Sequence, residues 1–227
     1  MPHSQMLFLD AGQVEALVDE MDDRYRTLVQ VLAYGGLRWG EAAALRRNRC
    51  RLLTGRLEVC ESLAEVGGHL HFGTTKTHSI REVALPPFLV EALAHHLATE
   101  VEEHPAALVF TSPEGGPMRH GNFTRRFWRP AVEQAAVPDG LRIHDLRHTA
   151  ASLLIASGAN IKAVQSQLGH KSATTTLDRY GHLFSDDLDR LAEALDRARG
   201  EALAASSRPE RSSEVAFLIR KEDGIAS

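Results

Sequence analysis

The segment from 144 to 148 places two histidines and an arginine close together. His144 and His148 are four residues apart, so a helix would put both imidazoles on one face, with Arg147 three residues after His144. Two imidazoles at this spacing could bind zinc. An arginine and an imidazole could instead hold a phosphate, which a hydroxyl such as that of Tyr180 could attack. The residue types therefore leave two kinds of site open.

A zinc site agrees poorly with the residues between the histidines. A hydrolytic zinc helix reads H-E-x-x-H, whereas here an aspartate, a leucine and Arg147 intervene. Arg147 is permanently charged and would oppose a metal, and neither Cys50 nor Cys60 lies nearby in sequence. We therefore expect no metal. A phosphate suits His144 and Arg147 better, because a guanidinium binds two oxygens and a helix N-terminus adds positive partial charge. A solvated helix face, however, shows the same pattern.

The composition is typical of a soluble globular protein. Of its residues, 43% are hydrophobic and 25% are charged. The length of 227 residues allows one large domain or one domain with appendages. Two cysteines without C-x-x-C spacing, and apolar runs far shorter than ~20 residues, predict a cytoplasmic setting and no membrane span. The net charge of −4 argues against a nucleic-acid partner. Positive charge is clustered, however, at Arg119, Arg125, Arg126, Arg129, Arg142 and Arg147.

Periodicity predicts an α+β fold that is mainly α, with a small antiparallel sheet of three or four strands near the N-terminal third. Asp10 is typical of a helix N-cap, and glycines close several apolar stripes of helical spacing. The predicted helices are 13–21, 25–34, 39–45, 86–101, 121–136, 143–157, 161–168, 172–180 and 186–204. Between 48 and 85 the period changes to two, which predicts strands at 51–53, 56–60, 69–72 and 80–85.

Several separated motifs resemble one family. The segment His144–Ala151 resembles the H-x-L-R-H-T-x-A signature of tyrosine recombinases, the phage integrase family. Leu168–His170 resembles the family's L-G-H, and Tyr180 follows ten residues later, where the family nucleophile lies. Gly36–Glu41 is similar to the first arginine motif, G-x-R-x-x-E, and Thr75–Val83 to the hairpin that carries a lysine. These matches occur in family order over about residues 9 to 184.

The resemblance implies a role for each residue. Tyr180 would attack the phosphorus, His144 would take its proton, and a hairpin lysine would protonate the leaving oxygen. Fixed positive donors suit this reaction, because the transition state spreads charge over the phosphate oxygens. The implied catalytic set is Arg38, Lys76, His144, Arg147, His170 and Tyr180. Glu41 is expected to support Arg38, and His148 to pack and hydrogen-bond within the domain.

Three further arginines are candidate contacts to the DNA backbone. Arg81, Arg125 and Arg126 could bind phosphates, which would position a duplex without reading its sequence. A solvated protein face is the alternative interpretation for all three.

The expected function is that of a site-specific DNA recombinase working through a 3′-phosphotyrosyl intermediate, without metal, ATP or other cofactor. The expected partner is double-stranded DNA, on which the protein would form a homo-tetramer. Without DNA it would associate weakly or be monomeric, and accessory DNA-bending proteins could take part. DNA relaxation of the type IB topoisomerase kind and a non-catalytic DNA-binding regulator are the alternatives.

The domain expectation is a catalytic domain over residues 1–204. Residues 205–227 have the composition of a flexible linker followed by an apolar tail, with docking onto another protomer and packing within the chain as the two interpretations. The core-binding domain that family members usually carry before the catalytic motifs is expected to be absent from this chain, as in a fragment or a natural minimal form.

Overall fold

The computed structural model of the protein describes residues 6–74, 80–184 and 187–206, and it confirms a mainly helical α+β fold. The helices begin and end within about two residues of the predicted positions. They are α1 (Ala11–Asp19), α2 (Asp23–Gln30), α3 (Trp39–Ala43), α4 (Pro87–Thr99), α5 (His120–Phe123), α6 (Arg129–Gln134), α7 (Asp145–Ala156), α8 (Ile161–Leu168), α9 (Ala173–Tyr180) and α10 (Asp187–Ser206). Two π-helical turns, Val31–Gly35 and Thr124–Trp128, continue α2 and α5.

Side chains at the helix starts explain several of these boundaries. Asp10 accepts a hydrogen bond from the backbone N–H of Gln13 at 2.8 Å, which confirms it as the N-cap of α1. Asn160 caps α8 by accepting from the backbone of Ala163 at 2.9 Å, and Ser172 caps α9 in the same way. The last two caps fix where the helices around Tyr180 begin.

The strands form two small antiparallel sheets rather than one. In the first, β2 (Arg56–Val59) lies between β1 (Cys50–Arg51) and β5 (Arg81–Ala84); in the second, β3 (Glu61–Val66) pairs with β4 (His69–Thr74).

Two details of the predicted strands were wrong. Leu52 and Leu53 form a 3₁₀ turn that ends at Gly55, whose φ of 61° is left-handed, so the chain turns back into β2 instead of extending. Strand β3 was not predicted, because Glu61–Val66 holds only one β-branched residue; its pairing with β4 over six positions compensates for this weak propensity.

The hydrophobic core has two parts. The larger one joins α1, α2, α4 and the first sheet, where Leu57 and Val83 face each other across β2 and β5 and are fully buried. The smaller one lies between α7, α8 and α9, and Tyr180 is one of its fully buried members. The nucleophile predicted from the sequence is therefore also a core residue.

One side chain joins the first sheet to α8. The amide of Gln167 donates from Nε2 to the carbonyl of Ala84 at 2.8 Å and accepts, through Oε1, from the N–H of Ala84 at 2.9 Å. It thereby satisfies backbone groups at the outer edge of β5, which has no strand neighbour other than β2 among the described residues. This contact ties β5 to the helix that precedes Gly169.

The chain divides into two compact units at residue 184, and α10 belongs to the second. Helix α10 extends to Ser206, and the rest of the predicted tail lies outside the described residues. None of the helices in the described ranges is long and apolar enough to cross a membrane.

Candidate active site

Arg38 lies at the start of α3, one turn before Glu41. Its backbone N–H donates to the Glu41 carboxylate at 2.9 Å, as a glutamate at the third helical position commonly allows, and its Nη1 donates to the same carboxylate at 2.8 Å. The Glu41 side chain is 1% exposed, whereas that of Arg38 is 29% exposed. The buried Glu41 carboxylate thus holds Arg38 in place, and part of the Arg38 guanidinium stays accessible.

Arg147 is buried where two of the motifs meet. Its guanidinium donates from Nη1 to the carbonyl of Gly36 and from Nη2 to the carbonyl of Leu168. Gly36 has a φ of 69°, and a Cβ there would lie 2.7 Å from the Leu168 side chain, so a glycine is needed at this crossing. Burial and then the charge of Arg38 lower the pKa of Arg147 to about 9, which still leaves it charged at neutral pH.

The remaining residues of the α7 motif hold that helix in place. Asp145 is fully buried and accepts from Arg142 Nε at 3.0 Å and Nη2 at 2.7 Å. Thr149 accepts from the backbone N–H of Leu9 at 3.1 Å, and Leu146 is fully buried in the core. These contacts fix the rotation of α7, and with it the directions of His144, Arg147 and His148.

The hydroxyl of Tyr180 lies next to His148. The Tyr180 Oη and His148 Nδ1 atoms are 2.7 Å apart, and Tyr180 is fully buried. Burial and then the neighbouring His144 lower the pKa of His148 to about 4, so the ring is neutral at pH 7 and accepts through Nδ1 when its proton is on Nε2. Burial raises the pKa of Tyr180, against the opposing charges of Arg147 and Arg179. The hydroxyl therefore carries its proton in this arrangement.

His148 was expected to hydrogen-bond within the domain and was kept out of the catalytic set. Its hydrogen-bond partner is the hydroxyl of Tyr180, 32 positions away in sequence, so sequence spacing gave no sign of this pairing. The helical spacing of four residues did predict that it lies beside His144, and the two ring centroids are 5.1 Å apart. His144 itself lies at the start of α7 with part of its side chain exposed. Burial of the rest, and then the charge of Arg147, lower its pKa.

The ring of His170 also lies near that of Tyr180. The two rings are nearly parallel, with an interplanar angle of 9° and centroids 6.3 Å apart. Its Nδ1 is 2.9 Å from the hydroxyl oxygen of Thr176, whereas its Nε2 is buried and has no hydrogen-bond partner among the described residues. A buried polar atom without a partner is costly, and a bound anion could supply one. Burial and then the charge of Arg147 lower the pKa of His170 to about 4.

Arg81 is not on an open face. It forms a two-point ion pair with Glu41, with Nη1 to Oε1 at 3.0 Å and Nη2 to Oε2 at 2.7 Å, and its side chain is 9% exposed. Burial alone would raise the pKa of the Glu41 carboxyl, yet the hydrogen bonds and charges of Arg81 and then Arg38 lower it to about 2. The carboxylate is therefore charged at neutral pH.

The other predicted site residues lie apart from this cluster or outside the described ranges. Arg125 and Arg126 are exposed on the π-helical turn after α5, where Arg126 lies 3.5 Å from Glu114. Lys76 falls between residues 74 and 80 and so lies outside the described residues. The described residues contain no group of three or more histidines, cysteines or acidic residues arranged to hold a metal.

A mainly helical domain thus carries a cluster of arginine, histidine and tyrosine side chains. The model of the phage integrase family matches residues 7–186, and the chain belongs to that family.

The relatives of this chain include proteins named as integrases. The putative prophage phiRv2 integrase of Mycobacterium tuberculosis is 33% identical over 174 residues, which cover 75% of this chain and 45% of that protein. The ICEBs1 integrase of Bacillus subtilis is 28% identical over 180 residues, covering 76% of this chain and 48% of that protein. The chain thus spans about half the length of these relatives.

Solved structures share the fold. The integrase of the Tn1549 transposon, in complex with circular intermediate DNA, matches with a TM-score of 0.71 and 21% identity over 84% of this chain and 68% of that one. The catalytic domain of bacteriophage HP1 integrase matches with a TM-score of 0.57 and 21% identity, covering 83% of this chain and 95% of that one. The described architecture is therefore that of integrase catalytic domains.

Proposed function

We propose that this chain is the DNA-cleaving and DNA-joining part of a site-specific tyrosine recombinase, with Tyr180 as the nucleophile. The observation that carries the proposal is the position of the Tyr180 hydroxyl, 2.7 Å from the neutral imidazole of His148 and beside the ring of His170. Arg38 and Arg147 supply positive charge close by, and burial and then the charge of Arg38 lower the pKa of Arg147. The DNA-bound state of the related transposon integrase supports double-stranded DNA as the partner.

The first step joins the protein to DNA. The Tyr180 oxygen attacks the scissile phosphorus, and its proton passes to His148 Nδ1, with which it is already in hydrogen-bond contact. The family resemblance implies this role for His144, but among the described residues His148, and not His144, is hydrogen-bonded to Tyr180. We therefore place His144 beside the acceptor, as a group that contacts the phosphate or stabilises the charged His148.

The leaving oxygen and the phosphate oxygens need partners of their own. Arg38, Arg147 and the Nε2 of His170 hold the non-bridging oxygens, where charge builds up in the transition state. The bond from phosphorus to the 5′ oxygen breaks, and Lys76 gives that oxygen its proton. A 5′ hydroxyl of the partner strand then attacks the phosphotyrosine and releases Tyr180. Because the phosphotyrosine keeps the energy of the broken bond, no ATP is needed.

A suicide substrate tests the proposal. On DNA nicked so that the cleaved end diffuses away, the wild-type chain should form a covalent adduct that migrates as protein–DNA on a denaturing gel. Tyr180→Phe should form none, because the ring is kept and only the attacking oxygen is lost. Tyr34→Phe is the matched control: its hydroxyl donates to Glu15 at 2.8 Å, away from the site, so its adduct yield should equal that of wild type.

Adducts from Tyr180→Phe would refute the assignment, as would a wild-type chain that binds the DNA without reacting. Wild-type adduct also separates the recombinase from a non-catalytic regulator. Strand exchange between two sites would identify a recombinase, whereas relaxation of supercoils by a single protomer would identify a topoisomerase.

Binding should be weak and dependent on salt. The chain spans about half of its relatives' length, and phosphate contacts made by arginines lose affinity steeply as counterions compete. We propose Arg125 and Arg126, which are exposed, as backbone contacts of this kind.

We also propose assembly as a tetramer on DNA, with weak association or a monomeric state without it, and accessory DNA-bending proteins as further partners. If the segment after Ala204 docks onto another protomer, deletion of residues 205–227 should impair assembly more than cleavage by a single protomer.

A further inference from the structure

Two arginines share the carboxylate of Glu41, and they share it unequally. Arg81 meets both oxygens with a parallel fork, at 3.0 and 2.7 Å, whereas Arg38 reaches one oxygen with one side-chain nitrogen, at 2.8 Å. Such a two-point pair is the geometry in which a guanidinium binds a carboxylate most firmly. The side chain of Arg81 therefore bonds both oxygens of Glu41, whereas the side chain of Arg38 bonds only one and its backbone N–H bonds the other.

Arg81 is fixed from three sides. Strand β5 carries it, Glu41 of α3 holds its end, and its Nε donates to the carbonyl of Gln167 at 3.3 Å. Gly169, with a φ of 66°, makes room for it, since a Cβ there would lie 2.7 Å from Arg81 Cδ. The glycine of the L-G-H motif thus has a physical reason that the sequence pattern did not reveal.

Arg38 keeps most of its donors available. A guanidinium has five N–H groups, and apart from the single bond to Glu41 that of Arg38 makes no hydrogen bond with the described residues. Its side chain is 29% exposed, against 9% for Arg81. If Arg81 were missing, Glu41 Oε2 would keep only the backbone N–H of Arg38 as a donor among the described residues. This buried carboxylate oxygen would then compete with a DNA phosphate for the Arg38 fork.

We propose that Arg81 is a positioning residue which occupies Glu41 so that the guanidinium fork of Arg38 stays free for the scissile phosphate. This inference rests on the proposed function, in which Arg38 binds that phosphate. It replaces a direct contact between Arg81 and the DNA backbone with an action through Glu41 and Arg38.

The salt dependence of DNA binding tests this directly. The slope of log affinity against log salt is negative, and each lost phosphate contact lowers its magnitude by about 0.9. Arg81→Lys keeps the charge but not the fork, so Arg38 should turn to Glu41 and the slope should fall by about 0.9. Arg38→Gln should lower it by the same amount, and the double variant by no more than either single one. Arg46→Lys, which alters an Arg–Glu pair with Glu61 outside the site, should leave the slope unchanged.

The inference is overturned if Arg81→Lys leaves the slope unchanged, or if the double variant loses about twice as much as each single variant, as two independent contacts would. Adduct formation on suicide DNA gives a second readout: Arg81→Lys should slow it by about tenfold to a hundredfold, the cost of a misplaced group. An unreactive wild type would refute the proposed function, whereas the salt slopes would still show whether Arg81 acts through Arg38.

A second variant displaces Arg81 in a different way, and the circular dichroism spectrum of each variant shows first that it folds. Gly169→Ala presses on Arg81 Cδ without altering its charge, and should lower the slope only while Arg38 is present. A further loss in the Arg38→Gln background would count against the proposal.

Discussion

At the residue scale, the pairing of Tyr180 with His148 determines which form of each group can react. An imidazole that already carried two protons could not accept a third, so a histidine that burial keeps neutral suits the task. Burial also keeps the tyrosine protonated until attack begins, because it raises the pKa of the Tyr180 hydroxyl. The same environment therefore prepares both partners of one proton transfer.

Replacing His148 by phenylalanine should slow adduct formation by about 10²- to 10⁴-fold, the usual contribution of general base catalysis. The substitution keeps an aromatic ring, slightly larger than the imidazole, and removes both ring nitrogens, including the Nδ1 that lies 2.7 Å from Tyr180 Oη. Single-turnover cleavage of suicide DNA measures the effect, and the affinity for DNA should change little. His96→Phe is the control, since His96 is also buried but bonds to the carbonyl of Val109. Wild-type cleavage by His148→Phe would show that another group takes the proton.

At the element scale, glycines decide how closely the segments around Arg147 approach. Gly36 lies against Leu168, and Gly169 lies against Arg81, each at a left-handed position where a side chain would collide. These crossings bring α3, β5 and α8 together. The distances between the residues of the proposed site therefore depend on glycines, which have no side chains. Gly169 and Gly158 both have positive φ, but only at Gly169 would a Cβ collide with a neighbour. Comparing the two therefore separates the free-energy cost of the collision from that of the backbone strain.

Gly169→Ala should destabilise the protein more than Gly158→Ala does. Both residues have positive φ, 66° and 84°, so an alanine costs roughly 1–2 kcal/mol of strain at either place. A Cβ at 158 meets nothing within 4 Å, whereas one at 169 lies 2.7 Å from Arg81 Cδ and adds overpacking of about 1–3 kcal/mol. Urea unfolding of the two variants gives the difference. Equal losses would mean that the Arg81 side chain moves aside without cost.

The sequence could predict what local patterns determine and little of what distant packing determines. Helices such as α7 and α8 were predicted within about two residues, because their apolar spacing and caps are local. The motifs also predicted a site that includes Arg38, Arg147, His170 and Tyr180, and these four side chains lie near one another. The bonds from His148 to Tyr180 and from Arg81 to Glu41 join residues 32 and 40 positions apart, so only the packing of separate elements decides them.

At the scale of the whole molecule, positive charge is concentrated in a chain whose formal net charge is −4. Arg38, Arg81 and Arg147 converge around the single carboxylate of Glu41, and their charges act on one another and on His170. Net charge therefore says little about the partner of this protein, because the local field at the site has the opposite sign. At His170, burial and then this field lower the pKa and keep the ring neutral.

The free energy of unfolding should fall as the pH is lowered from about 6.5 to about 4. His148 and His170 have folded-state pKa values of about 4, below the ordinary 6.5, so within this window the unfolded chain binds protons that the folded chain does not. At about 1.4 kcal/mol per pKa unit, the two residues together cost several kcal/mol. Urea titrations at pH 7.5, 6 and 5 measure the loss, and His148→Phe should reduce it. A stability independent of pH over this range would contradict the burial of neutral rings.

The amide of Gln167 has a consequence for the behaviour of the protein at high concentration. An outer strand with unpaired backbone groups is a template on which strands of other chains can add, and this is a common start of aggregation. At Ala84 those groups are already bonded to Gln167, so the neighbouring helix α8 protects part of that edge from within the same molecule. A contact that holds β5 beside the site thereby also favours the solubility of the folded chain.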